Sequence, residues 1–329
     1  MQRPSVHVVI VNWNAGSQLI ECLNSFAAAS NDAVNLAGIT VVDNASTDGS
    51  LDALLSLKNS LPLSIIRNPE NRGFAAASNQ GAAQITSDFA LFLNPDTRLE
   101  AGCLQMPAEF LSEPANASVG IVGIKLFDAA GEVTHGCARR PTPRAMIGHS
   151  LGLDRLMPSV FPPHFLSEWA HDRMSRVDQV IGAFFFVRQS VFQALGGFDE
   201  RFFVYYEDMD FALRASERGW ISVYLPTASA FHRGGGTTYA MKERRLFLFS
   251  RSRILFCLKH FKPAGAIAVT TVTLLLEPVA RMLQALLRRR FADAIAVARG
   301  FAMVWADLPN IIRTHIRLAN AQSSSAHPV

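Results

Sequence analysis

The sequence predicts an α/β fold: a mainly parallel sheet flanked by helices, followed by a C-terminal helical extension. Three observations predict it. Strand-like and helix-like stretches alternate through the first hundred residues, the strands read as continuous apolar runs, and everything beyond Tyr239 reads as helix. The 329 residues fit one large domain or two modest ones. Hydrophobic residues make up 49% and charged residues 18%, a balance that excludes intrinsic disorder and fibrous repeats.

Residues 6–11 (VHVVIV) form a β-branched run suited to a strand covered on both faces. Residues 17–29 follow with helical spacing at Leu19, Ile20, Leu23 and Phe26. A second strand is predicted over 39–42, ending in Asp43-Asn44-Ala45-Ser46, and Asp48-Gly49 opens a short helix. A third strand covers 63–66, an Ala-rich helix 73–85, and a fourth strand 89–93, ending in Asn94-Pro95-Asp96. The order βαβαβαβ implies parallel strands joined by crossovers. Such sheets bind ligands outside the carboxyl ends of their strands. Asn12-Trp13-Asn14, Asp43-Asn44, residues 68–72 and Asp96 stand at those ends.

Further strands are predicted over 119–128 and over 180–188, where VIGAFFFVR reads as one strand. Between them, residues 139–176 show no sustained periodicity and read as a functional or disordered loop. A short helix turns at Gly196-Gly197, a helix covers 207–218 and closes at Gly219, and 220–225 is the last strand. In the tail, residues 264–276 are a thirteen-residue uncharged run, short of the ~20 that a spanning helix needs. Glu277-Pro278 and Arg281 interrupt its extension. Leu275, Val279, Met282, Leu283 and Leu286 recur at helical spacing near Arg281 and Arg288 to Arg290. The segment reads as an amphipathic helix lying in a membrane surface, or as a packed helical subdomain with a solvated basic face. The organisation is accordingly a domain over 1–239, in halves 1–98 and 99–239, and a basic tail over 240–329.

The net charge of +4 conceals an asymmetry. Residues 1–239 carry 17 Lys and Arg against 23 Asp and Glu, whereas residues 240–329 carry 14 against 4. A basic tail rich in Leu, Ile and Ala suits an anionic membrane surface. Nucleic-acid binders interleave their basic residues with polar or stacking ones, so no nucleic-acid partner is expected. The four cysteines form no C-x-x-C pair, so neither a zinc cluster nor a disulfide framework is expected. The apolar run near the start is six residues long without a small-residue cleavage site, and it reads as a strand rather than an export signal. A cytoplasmic protein, peripheral at the inner face of the cytoplasmic membrane, is expected.

Asp43 can accept a hydrogen bond from a base or ribose, or it can cap a turn. In Asn71-Arg72-Gly73-Phe74, Arg72 can meet a nucleotide and Gly73 lets the backbone come close; equally, the stretch is an ordinary helix start. A hard divalent cation on a diphosphate needs an oxygen ligand at the cleft mouth, which Asp96 supplies. Its complement is His232, followed by Arg233 and three glycines; imidazole leans the cation toward Mn²⁺ without excluding Mg²⁺. The densest acidic spot is Tyr205-Tyr206-Glu207-Asp208-Met209-Asp210-Phe211. On a helix, Asp208 shares a face with Phe211, Ala212 and Ala215 and becomes the inward acid, while Asp210 pairs with Arg214. An inward acid needs a function or a partner. The alternative is that these acids favour the positive end of the helix dipole. Gly148-His149-Ser150-Leu151-Gly152 fits G-x-S-x-G, but no strand precedes it, so a nucleophile elbow is not expected. Neither G-x-G-x-x-G after the first strand nor a P-loop is present.

Taken in order, VIVNWN, VVDNAS, NRGFAAASNQG, LFLNPD, GAFFFVR, GGFDERFFVYYEDMDFALR and FHRGGG resemble an inverting family-2 glycosyltransferase with the GT-A fold, a Rossmann-like sheet flanked by helices. The match spans about residues 6–238, and NPD with NRGFAAASNQG is most similar to the rhamnosyltransferase branch. The resemblance implies a nucleotide-sugar donor, dTDP-L-rhamnose ahead of a UDP-sugar. It implies an acceptor hydroxyl on a glycan or lipid-linked saccharide in cell-envelope polysaccharide synthesis. Val11, Asn12, Asp43, Arg72 and Asn94 would contact the nucleotide, Asp96 and His232 would hold a divalent cation (Mn²⁺ or Mg²⁺), and Asp208 would be the general base. Gly182, Ala183, Gly197, Phe198, Asp199 and Glu207 would line the acceptor side. Asn94 departs from the D-x-D motif of many relatives and leaves one fewer carboxylate for the metal. Two other readings use the same layout. A nucleotide-sugar-binding protein without catalysis would dispense with Asp208, and a nucleotidyltransferase would normally bring a basic Gly-rich loop after the first strand, where residues 12–18 hold no basic residue.

Overall fold

The computed structural model describes residues 3–29, 33–52, 54, 57, 60–134, 136–234 and 241–325. The chain divides into two compact units: residues 1–140, 165–200 and 207–237 in the first, and residues 141–164, 201–206 and 238–329 in the second. The sequence draws a single boundary after residue 239.

The first unit runs β1 (Ser5–Asn12), α1 (Ser17–Ala29), β2 (Asn35–Asp43), β3 (Leu63–Arg67), α2 (Phe74–Ala82), β4 (Phe89–Leu93), β5 (Thr97–Leu99), α3 (Gln105–Ser112), β6 (Val119–Phe127) and β7 (Cys137–Ala138). After α4 (Pro143–Leu151) and α5 (Leu153–Leu156) of the second unit come β8 (Ser175–Val177), β9 (Gln179–Val180), β10 (Phe184–Arg188), α6 (Gln189–Ala194), α7 (Glu207–Glu217) and β11 (Ile221–His232). The main sheet has the order β3-β2-β1-β4-β10-β6-β11-β5, with β8 on β11. Strands β3, β2, β1 and β4 are parallel, and β10 runs antiparallel between β4 and β6. Successive side chains along a strand face opposite sides, so unbroken apolar runs cover both faces. Val8, Ile10, Leu91 and Phe186 pack toward Leu19, Leu23 and Phe26 of α1, while Val9, Phe92, Phe185 and Val187 pack with Ala75 and Ala77 of α2.

Three expectations are corrected. The run over 180–188 is two strands: β9 pairs with β7 in a separate two-stranded sheet, and β10 belongs to the main one. The break falls where the backbone leaves the ladder, Ile181 N–H donating to Gly136 O at 3.0 Å and Gly182 N–H to Asp208 Oδ2 at 2.8 Å. The stretch over 139–176 holds α4, begun by the Thr142 hydroxyl accepting from Ala145 N–H, with Pro143 in the first turn and Gly152 ending it at φ 71°. Thr-Pro at one end and Gly at the other were the available signal. The last strand continues to His232 through a bulge. Leu225 pairs with Ile124 and Ser229 with Lys125, so Pro226, Thr227 and Ala228 are extra residues on β11. The insertion carries Ala228 and Ala230 onto the face that Val223 and Leu225 occupied before it, and His232 continues that series. The short helix expected after Asp48-Gly49 falls partly outside the described residues.

The second unit also contains α8 (Lys242–His260), α9 (Pro263–Thr271), a π-helical turn (Val272–Leu276), α10 (Glu277–Leu287) and α11 (Phe291–Ser325). Here too an expectation is corrected, because Glu277-Pro278 does not interrupt the helix. A proline ring clashes with the carbonyl four residues earlier, and the wider turn immediately before Pro278 accommodates it. The Glu277 charge is turned inward: the side chain is 0% exposed and bonds to Arg253 and, at 2.7 Å, to Arg281. Arg253, also buried, donates to Ser150 Oγ at 2.6 Å. The apolar stretches therefore extend to Pro263–Leu287 and Phe291–Arg317, each long and apolar enough to cross a membrane by length and composition. Leu275, Val279, Leu283, Leu287 and Phe291 are exposed.

Removing one partner of a buried ion pair strands the other charge. Arg253→Leu is expected to destabilise the second unit by about 3–5 kcal/mol, read as a lowered midpoint in urea or thermal unfolding; an unchanged midpoint overturns this.

Candidate active site

At the carboxyl end of β1, Asn12 is 0% exposed and its side-chain nitrogen lies 2.8 Å from Asp43 Oδ1, 3.0 Å from Ser46 Oγ and 2.8 Å from Ser50 Oγ. Asp43 Oδ2 accepts from Ser46 N–H at 3.2 Å, the turn-holding role the sequence left open. Asn14, at φ 52°, donates from its backbone to Ser46 Oγ and accepts from Thr47 N–H. These bonds fasten the loop after β1 to the loop after β2. Val11 is buried beside them. The next loop is fixed likewise: Asn68 donates to Asn44 Oδ1 and Gln80 Oε1, both at 2.9 Å, and Asn44 donates to Gly73 O at 3.0 Å. At the end of that loop Arg72 is exposed, directly before α2. The result is a hydrogen-bonded polar rim with Arg67 and Arg72 exposed, suited to a phosphorylated ligand.

Asp96 and His232 meet. His232 Nε2 lies 3.4 Å from Asp96 Oδ1, because β5 and β11 pair His232 with Thr97 and Arg233 N–H donates to Asp96 O. Asp96 is 6% exposed. The two atoms are close enough to share one cation at ligand distances of about 2.1 Å. Among the described residues no third His, Cys, Asp or Glu joins them. An oxygen and an imidazole ligand, with the remaining positions left to phosphate oxygens and water, fit a divalent cation that rides on a diphosphate. A cavity of about 420 Å³ opens beside Asp96, walled by Glu21, Arg98, Asp128, Phe231 and Arg233; Asp208 does not line it.

The acids of α7 divide differently from the expectation. Glu207 and Asp210 are the buried ones, and Asp208 is partly accessible. Asp210 tolerates burial because Arg214 Nε lies 2.7 Å away, with the rest of that guanidinium bound to Leu195 O and Gly197 O. Asp208 accepts from Gly182 N–H at 2.8 Å and from Met209 N–H at 2.7 Å. Its surroundings exclude water enough to push the carboxyl above its ordinary pKa, and these donors pull the other way. Glu207 is pushed well above its ordinary pKa, by burial first and then by the Asp208 charge, and its Oε2 has no hydrogen-bond partner. Both carboxyls of the pair are thus held above their ordinary range, Glu207 the further of the two. Tyr205 and Tyr206, at φ 67° and 71°, precede the helix in consecutive left-handed conformations that bulky residues avoid.

Asp208 and Asp96 are organised by adjacent residues. Gly182 donates to Asp208, and the carbonyl of Ala183 accepts from Asn94 N–H at 3.1 Å and from the Thr97 hydroxyl at 3.4 Å, which holds the turn bearing Asp96. Asp199 is partly exposed. Two residues expected on the acceptor side are instead packing residues. Phe198 is 2% exposed, its ring 4.8 Å from that of Phe92 and 5.4 Å from those of Phe192 and Phe211. Gly197 turns at φ 76°, where a Cβ would sit 2.5 Å from Asn79 Oδ1, because the Asn79 amide brackets the Phe198 backbone. Sequence reasoning placed residues 68–72 at the site but missed Ser46 and Ser50, for which the crowding of Asn and Ser at strand ends was a usable signal.

Residues 7–158 match the model of glycosyl transferase family 2, and residues 91–246 match that of glycosyl transferase family group 2. The N-acetylglucosaminyl-diphospho-decaprenol L-rhamnosyltransferase of Mycobacterium tuberculosis is 27% identical over 274 residues, covering 76% of this chain and 82% of its own length. The low-salt glycan biosynthesis hexosyltransferase Agl10 of Haloferax volcanii is 23% identical over 284 residues, covering 84% of each chain. Among solved structures, the mannosyltransferase PcManGT from Pyrobaculum calidifontis, in complex with GDP-Man and Mn²⁺, aligns with a TM-score of 0.54 at 18% identity over 99% of this chain and 82% of that one, which supports the GT-A fold. Two family-2 glycosyltransferase models that together span residues 7–246, the rhamnosyltransferase relative and the solved GT-A structure support a family-2 glycosyltransferase near the rhamnosyltransferase branch.

Proposed function

We propose that this chain transfers L-rhamnose from dTDP-L-rhamnose, with inversion, to a hydroxyl of a lipid-linked saccharide in cell-envelope polysaccharide synthesis. The observation that carries the reading is the partly accessible Asp208 carboxylate, fixed by the N–H groups of Gly182 and Met209 next to the residues that hold the Asp96 turn. Donor and acceptor class follow the name of the Mycobacterium tuberculosis relative, an L-rhamnosyltransferase of N-acetylglucosaminyl-diphospho-decaprenol. In the proposed reaction Asp208 takes the proton of the acceptor hydroxyl as its oxygen attacks the anomeric carbon from the face opposite the nucleotide. The new C–O bond forms as the bond to the diphosphate breaks, so the configuration inverts in one displacement. Asp96 and His232 would hold a divalent cation, Mn²⁺ or Mg²⁺, which when bound neutralises charge on the leaving diphosphate. Asp43, Arg72 and the backbone at Val11, Asn12 and Asn94 border the nucleotide end. The exposed leucines of α10 and Phe291, beside Arg288 to Arg290, are suited to hold the enzyme on an anionic membrane face where a lipid-linked acceptor resides.

Asp208→Asn is expected to lower turnover by about 10²–10⁴-fold while leaving donor affinity in calorimetry unchanged; near-normal turnover removes the base assignment. Because the base must be ionised and its pKa is raised, kcat/KM should fall on the acid side at a pH above the ordinary carboxylate range. Calorimetry of dTDP-L-rhamnose and UDP-sugars with Mn²⁺ or Mg²⁺ should show metal-dependent binding of the former that Asp96→Ala weakens. Binding of UDP-sugars alone would refute the donor, and an unaltered metal dependence would refute the role of Asp96. In flotation with anionic vesicles the full-length protein should float and Leu283→Glu/Leu287→Glu should not; equal flotation argues against this surface.

A further inference from the structure

Exposed apolar residues on α11 form a second surface that the transfer scheme does not use. Phe291, Ile295, Trp305, Ile312 and Ile316 are each between 46% and 63% exposed. They fall on a repeat that alternates steps of four and three residues, and the positions between them in that repeat are exposed alanine or proline. Such spacing keeps one strip along one side of a helix. The opposite side is closed, with Ala294, Phe301, Val304 and Ile311 buried and α11 packed on α8. Beside the strip stand the exposed Arg299, Arg313 and Arg317, and Arg288 to Arg290 precede it. We propose that residues 291–317 lie in the plane of an anionic membrane, with the apolar strip among the acyl chains and the arginines at the level of the headgroups. The proposal rests on the membrane reading given for α10 and adds a second, longer element with a defined orientation.

Charge selects the occupant. The two acids of residues 291–317 are Asp293 and Asp307, and α8 takes both: Lys242 lies 2.6 Å from Asp293 and Arg251 2.9 Å from Asp307. The exposed charges beside the strip are therefore all positive. A second copy of this chain seated on the same strip would set those arginines against their own counterparts, and like charges facing each other across a helix pair oppose association. Lipid phosphates supply the opposite charge along the whole row. The direction of the helix follows from the same residues. At about 39 Å the segment is long enough to cross a bilayer. Crossing would carry Arg299 and both ion pairs with α8 toward hydrocarbon, where charge is costly. A helix lying in the interface keeps each of these groups against headgroups or water.

Trp305, near the middle of the segment, is the probe, and the other three tryptophans, Trp13, Trp169 and Trp220, belong to the first unit. Full-length protein is bound to phosphatidylglycerol–phosphatidylcholine vesicles with brominated acyl chains, and the quenching lost in Trp305→Phe is assigned to Trp305. Bromine near the headgroups should quench it more than bromine near the chain ends, as an insertion of about 5–10 Å requires. The reverse order places Trp305 at the midplane and overturns the in-plane helix in favour of a crossing one. Arg299→Gln and Arg313→Gln should each weaken vesicle binding about 5-fold. Undiminished binding, or equal binding to phosphatidylcholine alone, overturns the proposal. A protein that floats while Trp305 goes unquenched sinks the placement of α11 and leaves the α10 surface standing. Headgroup-level quenching that persists in Leu283→Glu/Leu287→Glu supports α11 and removes α10. If the protein does not float and sediments as a dimer that Ile312→Glu dissociates, a second copy covers the strip and both membrane readings fall.

Discussion

The N–H of Gly182 and the C=O of Ala183 point in different directions, and the acidic end of the first unit depends on both. The N–H reaches the Asp208 carboxylate, and the C=O receives Asn94 N–H and the Thr97 hydroxyl. Inside a regular β-ladder the Gly182 N–H would be taken by a neighbouring strand. The chain frees it by breaking one apolar run into β9 and β10, while Asn94 N–H to Ala183 O continues the β4–β10 pairing by one rung. From that break follow the fixed position of Asp208 and the separate β7–β9 ribbon.

Burial of charge is handled in three ways within this chain. Asp210 and Glu277 are each given an arginine. Glu207 has no cation partner among the described residues, and burial pushes its carboxyl well above the ordinary range. Asp208 is surrounded by neutral N–H groups and stays partly open to the outside. Of the three acids in the first turn of α7, Asp208 alone is partly accessible.

Much of the sheet could be read from residues alone. The strand over 89–93 and the helix over 17–29 have the bounds the sequence predicts, because each is a continuous apolar run or a clear amphipathic repeat ended by polar residues. The approach of Asp96 to His232 was legible from two strand ends. The division of VIGAFFFVR was not, since nothing local tells a chain that Gly182 N–H will find a carboxylate on α7. Phe198 was misplaced for a similar reason: its neighbours Gly197 and Asp199 look like a loop, while its ring is claimed by phenylalanines from β4, α6 and α7. The continuation through Glu277-Pro278 depended on Arg253, an arginine on a different helix. Long-range partners, not local propensity, account for these differences.

The bulge in β11 adds a rule about how this chain can vary in length. An odd number of extra residues between Leu225 and Ser229 reverses the in-and-out alternation, and it is this reversal that carries His232 onto the side where Asp96 waits. Loss or gain of a single residue there would present a phenylalanine or an arginine in place of the imidazole, whereas a change of two would restore the phase. A change of length in that kink therefore keeps the imidazole facing Asp96 only when it comes in steps of two.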